Sequence, residues 1–299
     1  MIREWIRMKK FTGIYPALIT PFTEDGKVNP GMIEKVVENC LAKGVSGFYV
    51  GGSTGESYLL TADERKFALE HVMKAVDGRV DVIANIGVFA TEQGIELAKH
   101  AESLGVAAIS SVPPFYFSFN MEEYVQYYND LADSVNLPVV IYNIPAMSGI
   151  SFKNTDIQRF FSNEKIIGMK HTSYDLFQLQ RVIKEYPEKS IFCGHDELFL
   201  SATAIGVDAG IGSTYNFMAE KFVKIQKLVA ENKWAEAAVV QDEVNAVVEA
   251  LCKVGVFKGV KAALKMQGMD CGECRKPFQP LNEEQVKYLR EVLEKNNCL

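Results

Sequence analysis

The sequence predicts an α/β chain: a (β/α)8, or TIM, barrel followed by a C-terminal helical extension. Three observations predict it. Eight short apolar runs alternate with amphipathic helical patterns between residue 13 and about residue 230. Polar and glycine-rich strings sit at the C-terminal ends of those runs, where such barrels place their chemistry. The chain has 299 residues, enough for one barrel of about 250 residues with a tail.

The strand candidates are 14–20 (IYPALIT), 46–51 (SGFYVG), 81–86 (DVIANI), 107–112 (AAISSV), 138–142 (PVVIY), 166–170 (IIGMK), 190–194 (SIFCG) and 208–212 (DAGIG). They are short and mostly apolar, as parallel strands buried on both faces should be. The helices between them carry start signals. Thr61 and Glu64 form a capping box ahead of Leu69, Val72, Met73 and Val76 at helical spacing. Asn120 and Glu123 repeat it before Tyr124, Tyr127, Tyr128 and Leu131. Thr91 is expected to cap a helix that turns Leu97, Ala101 and Leu104 inward, and Met218, Phe222, Ile225 and Val229 mark the eighth helix. After residue 231 the strand signals stop, and 233–254, 256–268 and 282–296 read as helices around a loop containing CGECRKPFQP. The simplest division is an extension over 1–10, a barrel over 11–231 and a helical appendage over 232–299.

Composition narrows the function classes. Hydrophobic residues make up 48% and charged residues 23%, the balance of a soluble protein with a sizeable core. A formal net charge of −6 argues against a nucleic-acid-binding surface. No run approaches the ~18 apolar residues of a membrane span, and residues 1–10 lack the apolar core of a signal peptide. The six cysteines are scattered, which reads as reduced thiols in a cytoplasm. Cys271 and Cys274 form a C-x-x-C, but no second ligand pair follows for zinc, and the motif does not open a βαβ helix.

The strand-end rule selects a small set of chemistry-bearing residues. Lys170 closes the sixth strand behind the apolar Ile166-Ile167-Gly168-Met169. Burial disfavours an ammonium there and favours the nucleophilic amine. On position alone, it reads equally as a cation reaching solvent or pairing with Glu56 or Asp196. Tyr142 ends the fifth strand, one βα unit earlier, so a phenol and an amine should meet at neighbouring strand ends. Imine chemistry with proton transfer needs such a pair, although a strand-end tyrosine alone is more often simply packed. Gly51-Gly52-Ser53-Thr54-Gly55-Glu56 offers backbone N–H groups and two hydroxyls to a carboxylate or phosphate. The string also matches the serine-hydrolase elbow G-x-S-x-G. That elbow must run straight into a helix, whereas the next helix is expected only near Thr61.

Together these strings resemble the N-acetylneuraminate lyase and dihydrodipicolinate synthase family, and more closely its lyase branch, from about residue 12 to 295. GGSTGES (51–57), PPFYFSF (113–119), YNIPAMSG (142–149), MKHTS (169–173), GHDELF (194–199) and GIGSTYN (210–216) carry the resemblance, and RKPFQP (275–280) is similar to the family's tail. The resemblance implies that Lys170 forms the Schiff base and that Tyr142 moves the proton. It implies that Ser53 and Thr54 hold the substrate carboxylate, and that Tyr116 completes a hydroxyl relay in a neighbouring subunit of a homotetramer. The synthase branch typically shows GTTGE and an arginine after its YN-x-P; here that stretch is Ala146-Met147-Ser148-Gly149, with no cation. Asp196, Glu197 and Ser213 look instead like acceptors for sugar hydroxyls, with Thr172 and Gly194 in the same substrate-binding set.

The implied activity is cleavage of N-acetylneuraminate, a small-molecule 2-keto acid, to pyruvate and N-acetylmannosamine. The imine supplies the electron sink, so neither metal nor cofactor is implied. A dihydrodipicolinate synthase, a 2-keto-3-deoxy sugar acid aldolase, a Ser53 hydrolase and a silent sugar-acid binder are the alternatives. His171 and His195 depart from the family strings, and each reads first as a rim histidine that stacks or hydrogen-bonds.

Overall fold

Eight short parallel strands close on themselves. They are β1 (Gly13–Pro16), β2 (Gly47–Val50), β3 (Asp81–Asn85), β4 (Ala108–Ser111), β5 (Val139–Asn143), β6 (Ile166–His171), β7 (Ser190–Cys193) and β8 (Ala209–Gly212). In the computed structural model, which describes residues 10–299, each strand pairs with its sequence neighbour, and β1 pairs with β8. A bridge between Ala17 and Tyr49, with Leu18 N donating to Tyr49 O at 2.9 Å, joins β1 to β2 and completes the ring. This is the expected (β/α)8 barrel. Apart from Lys10, the expected N-terminal extension lies outside the described residues.

Twelve helices accompany the strands among the described residues. Those of the barrel are α1 (Pro30–Ala42), α2 (Ala62–Val76), α3 (Thr91–Ser103), α4 (Met121–Ser134), α5 (Pro145–Ser148), α6 (Asn154–Phe161), α7 (Leu176–Glu185), α8 (Phe199–Ala204) and α9 (Tyr215–Ala230). The C-terminal set is α10 (Trp234–Val254), α11 (Val256–Met266) and α12 (Glu283–Lys295). Both expected capping boxes form: the Thr61 hydroxyl accepts from Glu64 N at 3.2 Å, and Asn120 Oδ1 accepts from Glu123 N at 3.1 Å. Thr91 does not cap its helix. The first intrahelical bond, Gly94 N to Ala90 O at 3.1 Å, starts one residue earlier and makes Ala90 the cap, without a side-chain bond.

Two-residue periodicity along the strands sorts side chains into two cores. Tyr15, Tyr49, Ile83, Val140, Phe192, Ala209 and Ile211 fill the barrel interior. Ile14, Phe48, Val82, Ile109, Val139, Ile141, Met169 and Ile191 pack outward against the helices. Phe11 closes the N-terminal mouth against Tyr15 and Phe192, with ring centroids 6.1 and 6.0 Å away. The interior below the strand ends is thus a packed floor, and a cavity opens above it.

Candidate active site

The site begins with a register shift. Val139 pairs with Ile166, but Val140 pairs with Gly168, so Ile167 is an extra residue in β6. In a continuous register Ile167 would pair with Val140 and Tyr142 would face Met169; with Ile167 bulged out of the pairing, Tyr142 faces Lys170. A bulge re-aims the side chains beyond it, and here it turns the lysine inward. Gly168 makes the crossing possible, because a Cβ there would lie 2.0 Å from Ser190 O of β7. Lys170 Nζ lies 3.9 Å from the centroid of the Tyr142 ring and 4.6 Å from that of Tyr49. Only 3% of Lys170 is exposed. Tyr49 is locked in turn: its hydroxyl donates to Ser110 Oγ at 3.0 Å, and its ring meets Tyr142 edge-on.

The two acids that could have paired with Lys170 are engaged elsewhere. Glu56 Oε1 lies 2.7 Å from Lys261 Nζ, and its other oxygen accepts from Arg275 N at 2.7 Å. Asp196 Oδ2 accepts from both Thr214 N and Thr214 Oγ1, at 2.8 and 2.7 Å.

The loop after β2 is held from below and behind. Asn85 Nδ2 donates to Gly51 O at 2.6 Å, and the buried Arg65 donates to Asn85 O and Gly87 O at 2.8 and 3.0 Å. Ser53 and Thr54 are left facing the cavity, with Thr54 Oγ1 and Ser213 Oγ sharing a hydrogen bond of 2.8 Å. A 3-10 turn at Ser57–Leu59 and the Thr61 cap separate Ser53 from α2, so the strand-to-helix elbow of a serine hydrolase is not built. The histidines are also committed elsewhere. His71 and His100 bond Phe67 O and Glu70 on the outer helices, His171 meets Asn143 and Asp175 O, and His195 pairs with Glu197.

The opposite wall is acidic. Burial pushes the Asp196 carboxyl up to about 6, although Thr214 donates two hydrogen bonds to it. Burial also pushes Glu197 up, but bonds from His195, its own backbone and Tyr174 outweigh it, and this carboxyl sits below its ordinary value. Burial lowers His171 to about 4, which keeps its imidazole neutral near pH 7. Gly194 clears room for Thr172, since a Cβ would meet Thr172 Oγ1 at 1.9 Å. That Thr172 hydroxyl is buried without a partner among the described residues and borders the cavity.

One cavity of about 400 Å³ gathers Ser53, Thr54, Tyr142, Lys170, Thr172, Gly194, Asp196, Glu197 and Ser213. Tyr116 stands apart from it. It is 74% exposed, with its ring against Phe89 and Phe117. A second void of about 20 Å³ behind Arg65 and Asn85 has room for little more than a water molecule. The sequence reading missed Tyr174, Met147 and the wall supplied by the C-terminal helices and tail: Val248, Leu251, Cys252, Phe257 and Phe278. The one local signal was the aromatic in HTSYD directly after the lysine. The C-x-x-C forms no disulfide: burial pushes both the Cys271 and Cys274 thiols up to about 12, and all six cysteines are free. Among the described residues, no helix is long and apolar enough to cross a membrane.

Residues 10–296 match the family model described as the dihydrodipicolinate synthetase family. The chain belongs to that family. Within the dihydrodipicolinate synthetase family it resembles curated proteins named N-acetylneuraminate lyase. The one from Rhizobium meliloti is 40% identical over 284 residues, 95% of each chain. The one from Fusobacterium nucleatum is 36% identical over 284 residues, 95% of this chain and 98% of that one. Among solved structures, CdNal from Clostridium difficile in complex with mannosamine superposes with a TM-score of 0.93 at 36% identity, covering 96% of this chain and 100% of that one. The Fusobacterium nucleatum lyase complexed with pyruvate gives 0.91 at 35% identity, covering 97% of each.

Proposed function

We propose that this chain is a carbon–carbon lyase: a Schiff-base-forming class I aldolase that cleaves N-acetylneuraminate to pyruvate and N-acetylmannosamine. The observation that carries the reading is the inward-turned Lys170 beside Tyr142, on the floor of a cavity whose far wall bears two carboxylates. The relatives add weight, since those at 36–40% identity are named for this reaction.

The substrate carboxylate docks on Ser53 and Thr54, where hydroxyls and backbone N–H groups meet it. The Lys170 amine adds to the C2 ketone, and loss of water leaves a protonated imine. Cleavage of C3–C4 sends its electron pair into that imine, while Tyr142 takes the C4 hydroxyl proton as the aldehyde forms. The released aldehyde is N-acetylmannosamine. Protonation of the enamine at C3 and addition of water then return pyruvate and free Lys170. Asp196 and Glu197 receive sugar hydroxyls, a match that a second substrate carboxylate would not make. Tyr116, exposed in one subunit, completes the hydroxyl relay of a neighbour in a cytoplasmic homotetramer.

Borohydride reduction in the presence of pyruvate, followed by peptide mass spectrometry, tests this. A reduced pyruvyl adduct on Lys170, absent in Lys170→Ala, is the expected result. An unmodified Lys170 under conditions where pyruvate binds overturns it.

A further inference from the structure

The outer end of the cavity holds three side chains that make no use of the lysine chemistry. Tyr174, the fourth residue after Lys170, lies in the loop between β6 and α7 and is 69% exposed. Its ring nonetheless stacks on the His195 imidazole, with centroids 4.4 Å apart and planes inclined by 24°. The Tyr174 hydroxyl donates to Glu197 Oε1 at 2.8 Å, and His195 Nδ1 lies 3.1 Å from the same oxygen. With the proton on Nδ1, donors from two separate strand-end loops converge on one carboxylate oxygen and hold the group in one orientation. A carboxylate accepts about four hydrogen bonds, so capacity remains for a ligand.

We propose that Tyr174 and His195 are positioning residues that fix Glu197 for the polyhydroxylated end of the substrate. This rests on the sialic-acid reading of the site. Charge-assisted bonds strengthen when the acceptor is already oriented, because less freedom is lost on binding. The clamp therefore acts on the sugar end of the substrate and leaves the keto-acid end alone. Pyruvate, which carries only the keto-acid end, does not reach it.

The test is Tyr174→Phe, which keeps the ring and its stack but removes the hydroxyl, at a site exposed enough to fold normally. The expected result is a KM for N-acetylneuraminate raised about tenfold with kcat changed less than threefold. The pyruvate concentration that half-saturates borohydride inactivation should move less than twofold. His195→Phe, which keeps a stacking ring without the donor, should act in the same direction. An unchanged KM in both variants, or a parallel shift for pyruvate, overturns the proposal. A wild-type protein that forms no pyruvate adduct overturns the aldolase reading itself, and the clamp with it.

Discussion

Tyr142 and Lys170 are register partners on adjacent parallel strands, and the lysine nitrogen stands 3.9 Å from the phenol ring centroid. The pairing depends on the extra residue Ile167, which advances β6 by one position against β5. Because the ring itself shields the amine, Tyr142→Phe should preserve the packing and remove only the proton carrier. We expect kcat for N-acetylneuraminate to fall by about 10²–10⁴, while pyruvate can still be trapped on Lys170 by borohydride. A kcat within threefold of wild type would assign the proton transfer to another group.

Stability should hinge on a buried ion pair behind the carboxylate-binding loop. Lys261 and Glu56 are each 4% exposed and 2.7 Å apart, and the Lys261 ammonium also stands over the Phe22 ring. Lys261→Met leaves the Glu56 carboxylate buried without its counter-ion and should cost about 3–5 kcal/mol. Adding Glu56→Gln removes the stranded charge while keeping an acceptor for Arg275 N. The double variant should therefore melt higher than Lys261→Met alone. Thermal unfolding of the four proteins of the cycle checks this, and strictly additive losses would deny the coupling.

How legible the molecule was in its sequence depended on range. The strand ends were readable because apolar runs and the polar strings that close them are local features, and the Thr61 and Asn120 caps span only three residues. Thr91 misled by one position, since hydroxyl-bearing residues suit both a cap and a first turn. The proximity of Tyr142 and Lys170 followed from strand order. The bulge that aligns them did not, for its only trace is Gly168, and a lone glycine in an apolar run does not specify a register shift. Tyr174 and Glu197 are 23 residues apart, and Arg275 N reaches Glu56 across 219. Contacts at such separations are set by how loops land on one another, and no periodicity records that.

Asp196 makes stability depend on pH with a definite sign. Burial raises its carboxyl to about 6 in the folded chain, against an ordinary value of about 3.9. Between those values the folded state holds a proton that the unfolded state has released, so stability falls as pH rises through this window. Above about pH 6 the full cost applies, on the order of 1–3 kcal/mol. Asp196→Asn does not titrate. Its melting temperature relative to wild type should therefore improve between pH 4 and about pH 6 and level off by pH 7, whatever its offset at pH 4. Differential scanning calorimetry across that range decides it, and a constant gap between the two proteins would place the titration elsewhere.

The exposed Tyr116 provides the test of a shared site. Its ring rests on Phe89 and Phe117, outside the cavity that holds Lys170. If the hydroxyl acts in a neighbouring subunit, Tyr116→Phe and Lys170→Ala damage different parts of one composite site. Each variant alone should be slow: Lys170→Ala without detectable turnover, and Tyr116→Phe reduced by about 10²-fold or more. In a mixed assembly, a Lys170→Ala subunit brings an intact Tyr116 to the Tyr116→Phe subunit, which brings an intact Lys170. Unfolding the two variants together and refolding them should therefore restore sites of wild-type composition. Random pairing in equal amounts gives about one such site in four, a recovery far above either parent. Activity that stays at the mean of the separately refolded variants would place the Tyr116 hydroxyl in its own subunit or outside the relay.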